Sequence, residues 1–147
     1  MNTPSRTTNH TASILAGIAI ALIIVTGLIH LVEAPDNFQE AAYKGILFAL
    51  NGGLALVAAV GIYQGSKTWG WGMGVLVAGG AIVMYVISRT IGLPGIGIDD
   101  AWFEPMGVLA VLVEAGFVVT AALMLVRNLN NVDQTTLSAS TQVNQYR

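Results

Sequence analysis

Glu114 is the residue of this 147-residue sequence whose chemistry most needs explaining, because it is the one charged side chain in the apolar run 106–126. A carboxyl group set among Leu, Val and Ala is costly, and in membrane spans such groups mark proton paths, solute sites or buried ion pairs. On a helix it falls in the third turn of its segment, roughly 12 Å from the start at about 1.5 Å per residue, too deep for a short side chain to reach water. Its helix-face neighbours are Gly107, Ala110, Val111, Phe117, Val118 and Ala121. Half of these are small, so the face is expected to meet another helix with Glu114 pointing inward. Three other segments carry polar residues at steps of three or four, or multiples of them: Thr26, His30 and Glu33; Glu40, Lys44 and Asn51; Tyr85, Ser88 and Arg89. The spacing predicts a polar intramembrane cluster of Glu114, Asn51, Tyr85, Arg89 and Lys44. Asn51 and Glu114 would meet near mid-depth, Thr26 and Tyr85 would lie above them, and His30, Lys44 and Arg89 would sit higher among outer carboxylates.

Such a cluster has two structural readings and one functional reading. Arg89 or Lys44 could neutralise a Glu while Asn51 and Tyr85 complete the hydrogen bonds, or Glu114 could simply hold a proton. The functional alternative is a polar cavity for a proton, a metal ion or a small ligand. His30 and Glu33 stand one helical turn apart, a spacing that offers two metal ligands from one bundle helix. With Glu104 or Asp36 they could form a mononuclear site. A dinuclear carboxylate site needs a second His, and His10 lies in the polar N-terminal segment. The sequence has no Cys, which excludes thiol and disulfide chemistry, iron-sulfur clusters, Cys-ligated zinc and covalent c-type haem. Bis-His haem needs two intramembrane His and only His30 qualifies, so the cofactor expectation reduces to none or a single metal ion.

The elements that position these residues follow from composition. Hydrophobic residues make up 54% of the chain, charged residues 10%, and the mean hydropathy is +0.69. A soluble domain carries about 25% charged residues, so the fourteen here cannot cover a water-facing surface and the chain reads as a membrane protein. A net charge of −2 gives no basic patch for nucleic acid. A crossing helix needs about 20 apolar residues, and four stretches satisfy this: 14–32, 41–63, 69–88 and 106–126. The expected fold is an all-α four-helix transmembrane bundle over 14–127, with a flexible polar segment at 1–13 and another at 128–147. Asp36 with Gln39 reads as a capping box for the second helix, Gly65 as its stop, Ser66 or Thr68 as the start of the third, and Pro105 as first-turn residue of the fourth. The first helix mimics a signal peptide at Val32 and Ala34, but Pro35 would obstruct cleavage and the run is too long, so it is expected to be retained.

Arg6, Lys67, Arg127 and Arg147 fall on one side, against Asp133. Glu33, Asp36, Glu40, Asp99, Asp100 and Glu104 fall on the other, with Lys44 and Arg89. The positive-inside rule puts both termini in the cytoplasm of a prokaryotic cell, with acidic outer loops. Trp102 and Phe103 would anchor the outer interface, and Trp69 and Trp71 the inner one. Small residues at steps of four predict helix-packing seams at Gly45, Ala49 and Gly53 and at Gly70, Gly74 and Ala78, more naturally within the chain than between chains.

Small multidrug exporters share the size and helix count, yet their essential carboxylate lies in the first helix. The string Gly92-Leu93-Pro94-Gly95 occurs in rhomboid proteases, but the Gly-x-Ser-Gly nucleophile and six spans are missing, so it reads as a turn. Residues 30–38, 43–48 and 85–95, with Ser88-Arg89-Thr90-Ile91-Gly92-Leu93-Pro94, resemble small uncharacterised prokaryotic four-span integral membrane proteins that share this Ser-Arg-Thr-x-Gly-Leu-Pro turn. The resemblance implies a four-span bundle and brings no activity. The sequence alone favours an accessory or structural subunit of a larger membrane complex, such as a redox or oxygenase assembly, and more readily a non-enzyme than an enzyme. Its partners would be the lipid bilayer and other membrane subunits or a second copy. A small proton-coupled transporter or channel-like homo-oligomer using Glu114 is the alternative, and an extracytoplasmic metal-handling protein using His30 and Glu33 the third.

Overall fold

The computed structural model describes residues 6–66 and 68–145, with side chains from 10–66 and 68–130. Lys67 and Arg147 lie outside the described residues, as do the side chains of Arg6 and Asp133. The described residues form four helices: α1 (Arg6–Glu40), α2 (Ala42–Tyr63), α3 (Trp69–Thr90) and α4 (Pro105–Gln145). Each contains a stretch long and apolar enough to cross a bilayer, the build of a multi-pass membrane protein. α1 packs on α2 and α4, and α3 packs on α2 and α4. The helices therefore stand in a ring in chain order, each antiparallel to the next, and only α1 and α3 touch across the diagonal.

The helix limits differ from the expected ones where side-chain signals compete with helix continuity. α1 continues through Pro35 to Glu40, so Asp36 and Gln39 lie in its last two turns and cap nothing. One residue, Ala41, separates it from α2, and no side chain caps that start. This tight reversal works because Gly45 lets the Phe38 ring lie against the α2 backbone, where any Cβ would collide with it. At the far end of α2 the expected stop holds. Gly65 has a φ of +80°, and Ser66 N–H donates to the Gly61 carbonyl while Gly65 N–H donates to Ile62, the hydrogen bonds of a Schellman cap. Ser66 Oγ then accepts from Gly70 N–H at 3.0 Å, helping to open α3. Pro105 is the first residue of α4, as its missing N–H favours. α4 stays helical to Gln145, beyond the point where the apolar pattern stops.

The core occupies the half of the bundle toward the α2–α3 turn: Ala19 and Ile23 of α1, Ala55, Ala58, Ala59 and Ile62 of α2, Val77 and Ala78 of α3, Phe117 and Ala121 of α4. Most of these are small, so the backbones approach closely. The predicted seams are realised unequally. Gly70 abuts the backbone of Gly61 and Ile62, Gly74 abuts the Phe117 ring, and Ala78 is fully buried. Gly53 belongs to no seam: it is exposed, and a Cβ there would meet nothing within 4 Å. The α1–α2 crossing uses Gly27 and Gly52 instead, where a Cβ on Gly52 would stand 2.9 Å from the Gly27 carbonyl oxygen. A step of four cannot show which stripe faces a partner; Gly52 is one residue and about 100° from Gly53. Trp71 is also relocated. Expected at the interface, its half-buried ring stacks on Phe117 with centroids 6.3 Å apart.

These contacts predict opposite outcomes for two alanine substitutions. A Cβ at Gly70 would lie 2.8 Å from two backbone atoms of α2, which have no rotamer to relieve the overlap. Gly70→Ala should lower stability by about 1–3 kcal/mol. Gly53→Ala should be neutral or stabilising by up to about 1 kcal/mol, from helix propensity alone. Thermal unfolding in detergent, followed by circular dichroism, reads both.

Candidate functional site

Beyond the small-residue core the bundle opens into a cavity of about 540 Å³, on the half that carries the α1–α2 reversal and the long α3–α4 connection. Phe117, fully buried, belongs to the core, and one turn earlier on α4 stands Glu114, 1% exposed, on the cavity lining. All five members of the predicted cluster line this one cavity, and so do His30, Glu33 and Glu104.

Their pairing is not the expected one. His30, not Asn51, is the side chain at Glu114, with Nε2 3.6 Å from Oε1, too long for a direct hydrogen bond. Arg89 pairs with Asp99 of the α3–α4 connection, and Lys44 in the first turn of α2 pairs with Glu40 at the end of α1. Neither cation reaches Glu114. Asn51 donates through Nδ2 to the Val77 carbonyl of α3 at 3.2 Å, and Tyr85 donates its hydroxyl hydrogen to the Trp102 carbonyl at 2.6 Å. The ion-pair staple thus exists at the rim, where Arg89 also lies 4.9 Å over the Tyr85 ring, and leaves the floor unneutralised. Among the described residues no three His, Asp or Glu side chains are grouped to hold a metal ion. Glu104, offered as a third ligand, instead caps α4: its carboxylate oxygens accept from Met106 N–H at 3.1 Å and Gly107 N–H at 2.6 Å. A carboxylate at that position also meets the positive end of the helix dipole.

The hydrogen bonds at the floor fix its chemistry. His30 Nδ1 is 3.0 Å from the Thr26 carbonyl, and a carbonyl can only accept, so Nδ1 carries a hydrogen. In the neutral ring Nε2 therefore faces Glu114 with its lone pair. Glu114 Oε1 and Asn51 Oδ1 are buried acceptors with no donor from the protein. Phe48 packs beside His30 with ring centroids 5.1 Å apart. The unpartnered groups around Glu114 are acceptors, whereas at the rim Arg89 Nε is a buried donor without a hydrogen-bond partner; one proton between Glu114 and His30 is the least that two facing lone pairs require to coexist.

Several contributors were not read from the sequence. Phe48 lies four residues after Lys44 and three before Asn51, so helical spacing could have found it on that face. Asp99, expected among the outer acidic residues, carries no spacing signal for its pairing with Arg89, because it comes from irregular chain. There Gly92, with a φ of +87°, lies so close to Gly97 that a Cβ would overlap its carbonyl, and Leu93 and Gly97 bond to each other, which delivers the expected turn. Tyr43 fastens this turn to α2 by donating to the Pro94 carbonyl at 2.8 Å. No family profile, no curated protein and no solved structure matches the chain.

The rim clasp yields a prediction. Arg89 is buried while Asp99 remains partly exposed. Asp99→Asn keeps the volume but leaves a buried guanidinium without its counter-charge. It should cost about 1–3 kcal/mol and speed amide hydrogen exchange in residues 91–104, with the α2–α3 end unchanged.

Proposed function

We propose that the chain is a small proton-coupled membrane transporter in which Glu114 takes up either a proton or a solute from the cavity. The observation that carries this reading is the Glu114 carboxyl group, 1% exposed, with Oε1 lacking a protein donor and His30 Nε2 3.6 Å away, at the floor of a cavity of about 540 Å³. A buried carboxylate with no counter-charge costs several kcal/mol, so its charge must be balanced by a proton or by something bound. Exclusive occupancy of one carboxyl group by proton or solute is the simplest basis for coupling their movements. The charge distribution supports an orientation with both termini in the cytoplasm of a prokaryotic cell and the cavity facing outward in the plasma membrane. A metal-handling role using His30 and Glu33 has less support, since Glu104 is committed to α4.

The accessory-subunit reading is retained as the second, favoured by one observation. Gly53 and Gly72 are exposed on α2 and α3, and a Cβ at either would meet nothing within 4 Å, room for another helix.

Membrane vesicles from cells producing the protein, energised to a steady pH gradient, test the first reading. Addition of a transported solute from a panel of small amines, acids and neutral compounds should partly collapse the gradient, and Glu114→Gln should abolish that response at unchanged protein level. An undiminished response in Glu114→Gln, or no response to any compound, would sink it.

A further inference from the structure

We infer that the solute is a small primary ammonium cation with an apolar body, held at the cavity floor by Glu114, His30 and Asn51. The inference rests on the transporter reading and adds the class of solute. Three independent features of the cavity agree on it.

The first is the type of group left over. Glu114 Oε1 and Asn51 Oδ1 are acceptors without a protein donor, and His30 Nε2 becomes one in the neutral ring because Nδ1 is committed to Thr26. One N–H of the Asn51 amide is likewise committed, to Val77. A ligand that satisfies such a floor supplies several N–H donors from one atom. An R–NH₃⁺ group has three and no acceptor. A carboxylate or phosphate would add acceptors to those around Glu114; the unpartnered Arg89 Nε lies at the rim, where Asp99 already supplies the negative charge.

The second is charge. Six carboxylates line the cavity, from Glu33, Asp36, Glu40, Asp99, Glu104 and Glu114, against Lys44 and Arg89. Both cations are paired at the rim with Glu40 and Asp99, and Glu104 is held by the start of α4. The field inside favours a cation, and the deepest carboxylate is the one left to receive it.

The third is the wall. Ile29, Leu47, Phe48, Met84, Ala110 and Val111 surround the polar floor. Phe48, beside His30, places an aromatic ring on the same lining, a group that attracts cations. A bare metal ion would need convergent oxygen or nitrogen ligands and gain nothing from these side chains. A hydrocarbon attached to the ammonium group would bury against them.

Binding can be measured directly by isothermal titration calorimetry on the full chain in an amine-free maltoside detergent. The probes are n-butylammonium, tetramethylammonium, butan-1-ol, butyrate and Mn²⁺. The expected result is saturable binding of n-butylammonium at one site per chain, with tetramethylammonium, which lacks N–H donors, roughly tenfold weaker or more. Glu114→Gln should abolish binding while melting like the unsubstituted protein, and Glu114→Asp should retain part of it. Phe48→Leu, which keeps every acceptor, should weaken it roughly two- to tenfold. Competition by phosphatidylethanolamine added to the micelles would identify the ammonium as a lipid headgroup, and its failure to compete a free amine; both uphold the class. Preference for butyrate, butan-1-ol or Mn²⁺ with no binding of n-butylammonium would overturn the class and leave the transporter reading standing. Absence of binding by every probe, together with no solute able to collapse the vesicle pH gradient, would overturn both.

Discussion

The structure turns on a single unfavourable placement, the Glu114 carboxyl group set one helical turn from the fully buried Phe117. Among the described residues no Lys or Arg reaches it: Lys44 and Arg89, which could have, are held by Glu40 and Asp99. Its neighbour His30 is oriented by the Thr26 carbonyl so that the ring nitrogen facing it is the one able to change protonation. A protein that needed only stability would do better with an apolar side chain of similar volume here. Keeping a carboxyl group instead places the cost where a proton or a ligand can remove it.

The remainder of the bundle divides into two halves that make this placement possible. Toward the α2–α3 turn, Gly and Ala bring backbones together at Gly70 on Gly61 and around Ala55, Ala58, Ala59 and Ala78, and the interior is filled. Lipid gives apolar helices no reason to associate, so this close contact is what sets helix positions. Toward the other end the interior residues are larger and polar, and a cavity remains between them. The connection 91–104 is tied down at three points, Pro94 by Tyr43, Asp99 by Arg89 and Trp102 by Tyr85, and it brings Asp99 to the rim. A rigid half positions Glu114, and an open half gives access to it.

Composition and apolar run length made the four helices legible, because the bilayer imposes both. The polar stripes were legible too: helical spacing assigned Asn51, Tyr85, Arg89, Lys44 and Glu114 to one interior, and all of them line the cavity. What spacing could not supply was pairing. Which acid meets Arg89 depends on the path of residues 91–104, and which residue reaches Glu114 depends on the rotation of α1, set by the Gly27–Gly52 contact. The same limit explains Gly53, on a regular stripe that turned outward. Local signals also misled at the α1–α2 reversal, where a cap pattern at Asp36 and Gln39 lay inside a continuous helix. Glu104, a candidate third ligand to His30 and Glu33 by residue type, is engaged by the backbone of the helix that Pro105 opens.

The central claim is that Glu114 holds a proton or a solute, never both. Proton release on solute binding tests it most directly: the purified protein in weakly buffered detergent solution, titrated with n-butylammonium in the presence of a pH-sensitive dye. The account predicts release of one proton per chain at saturation and none from Glu114→Gln. Saturable binding with no proton released by the unsubstituted protein would contradict it.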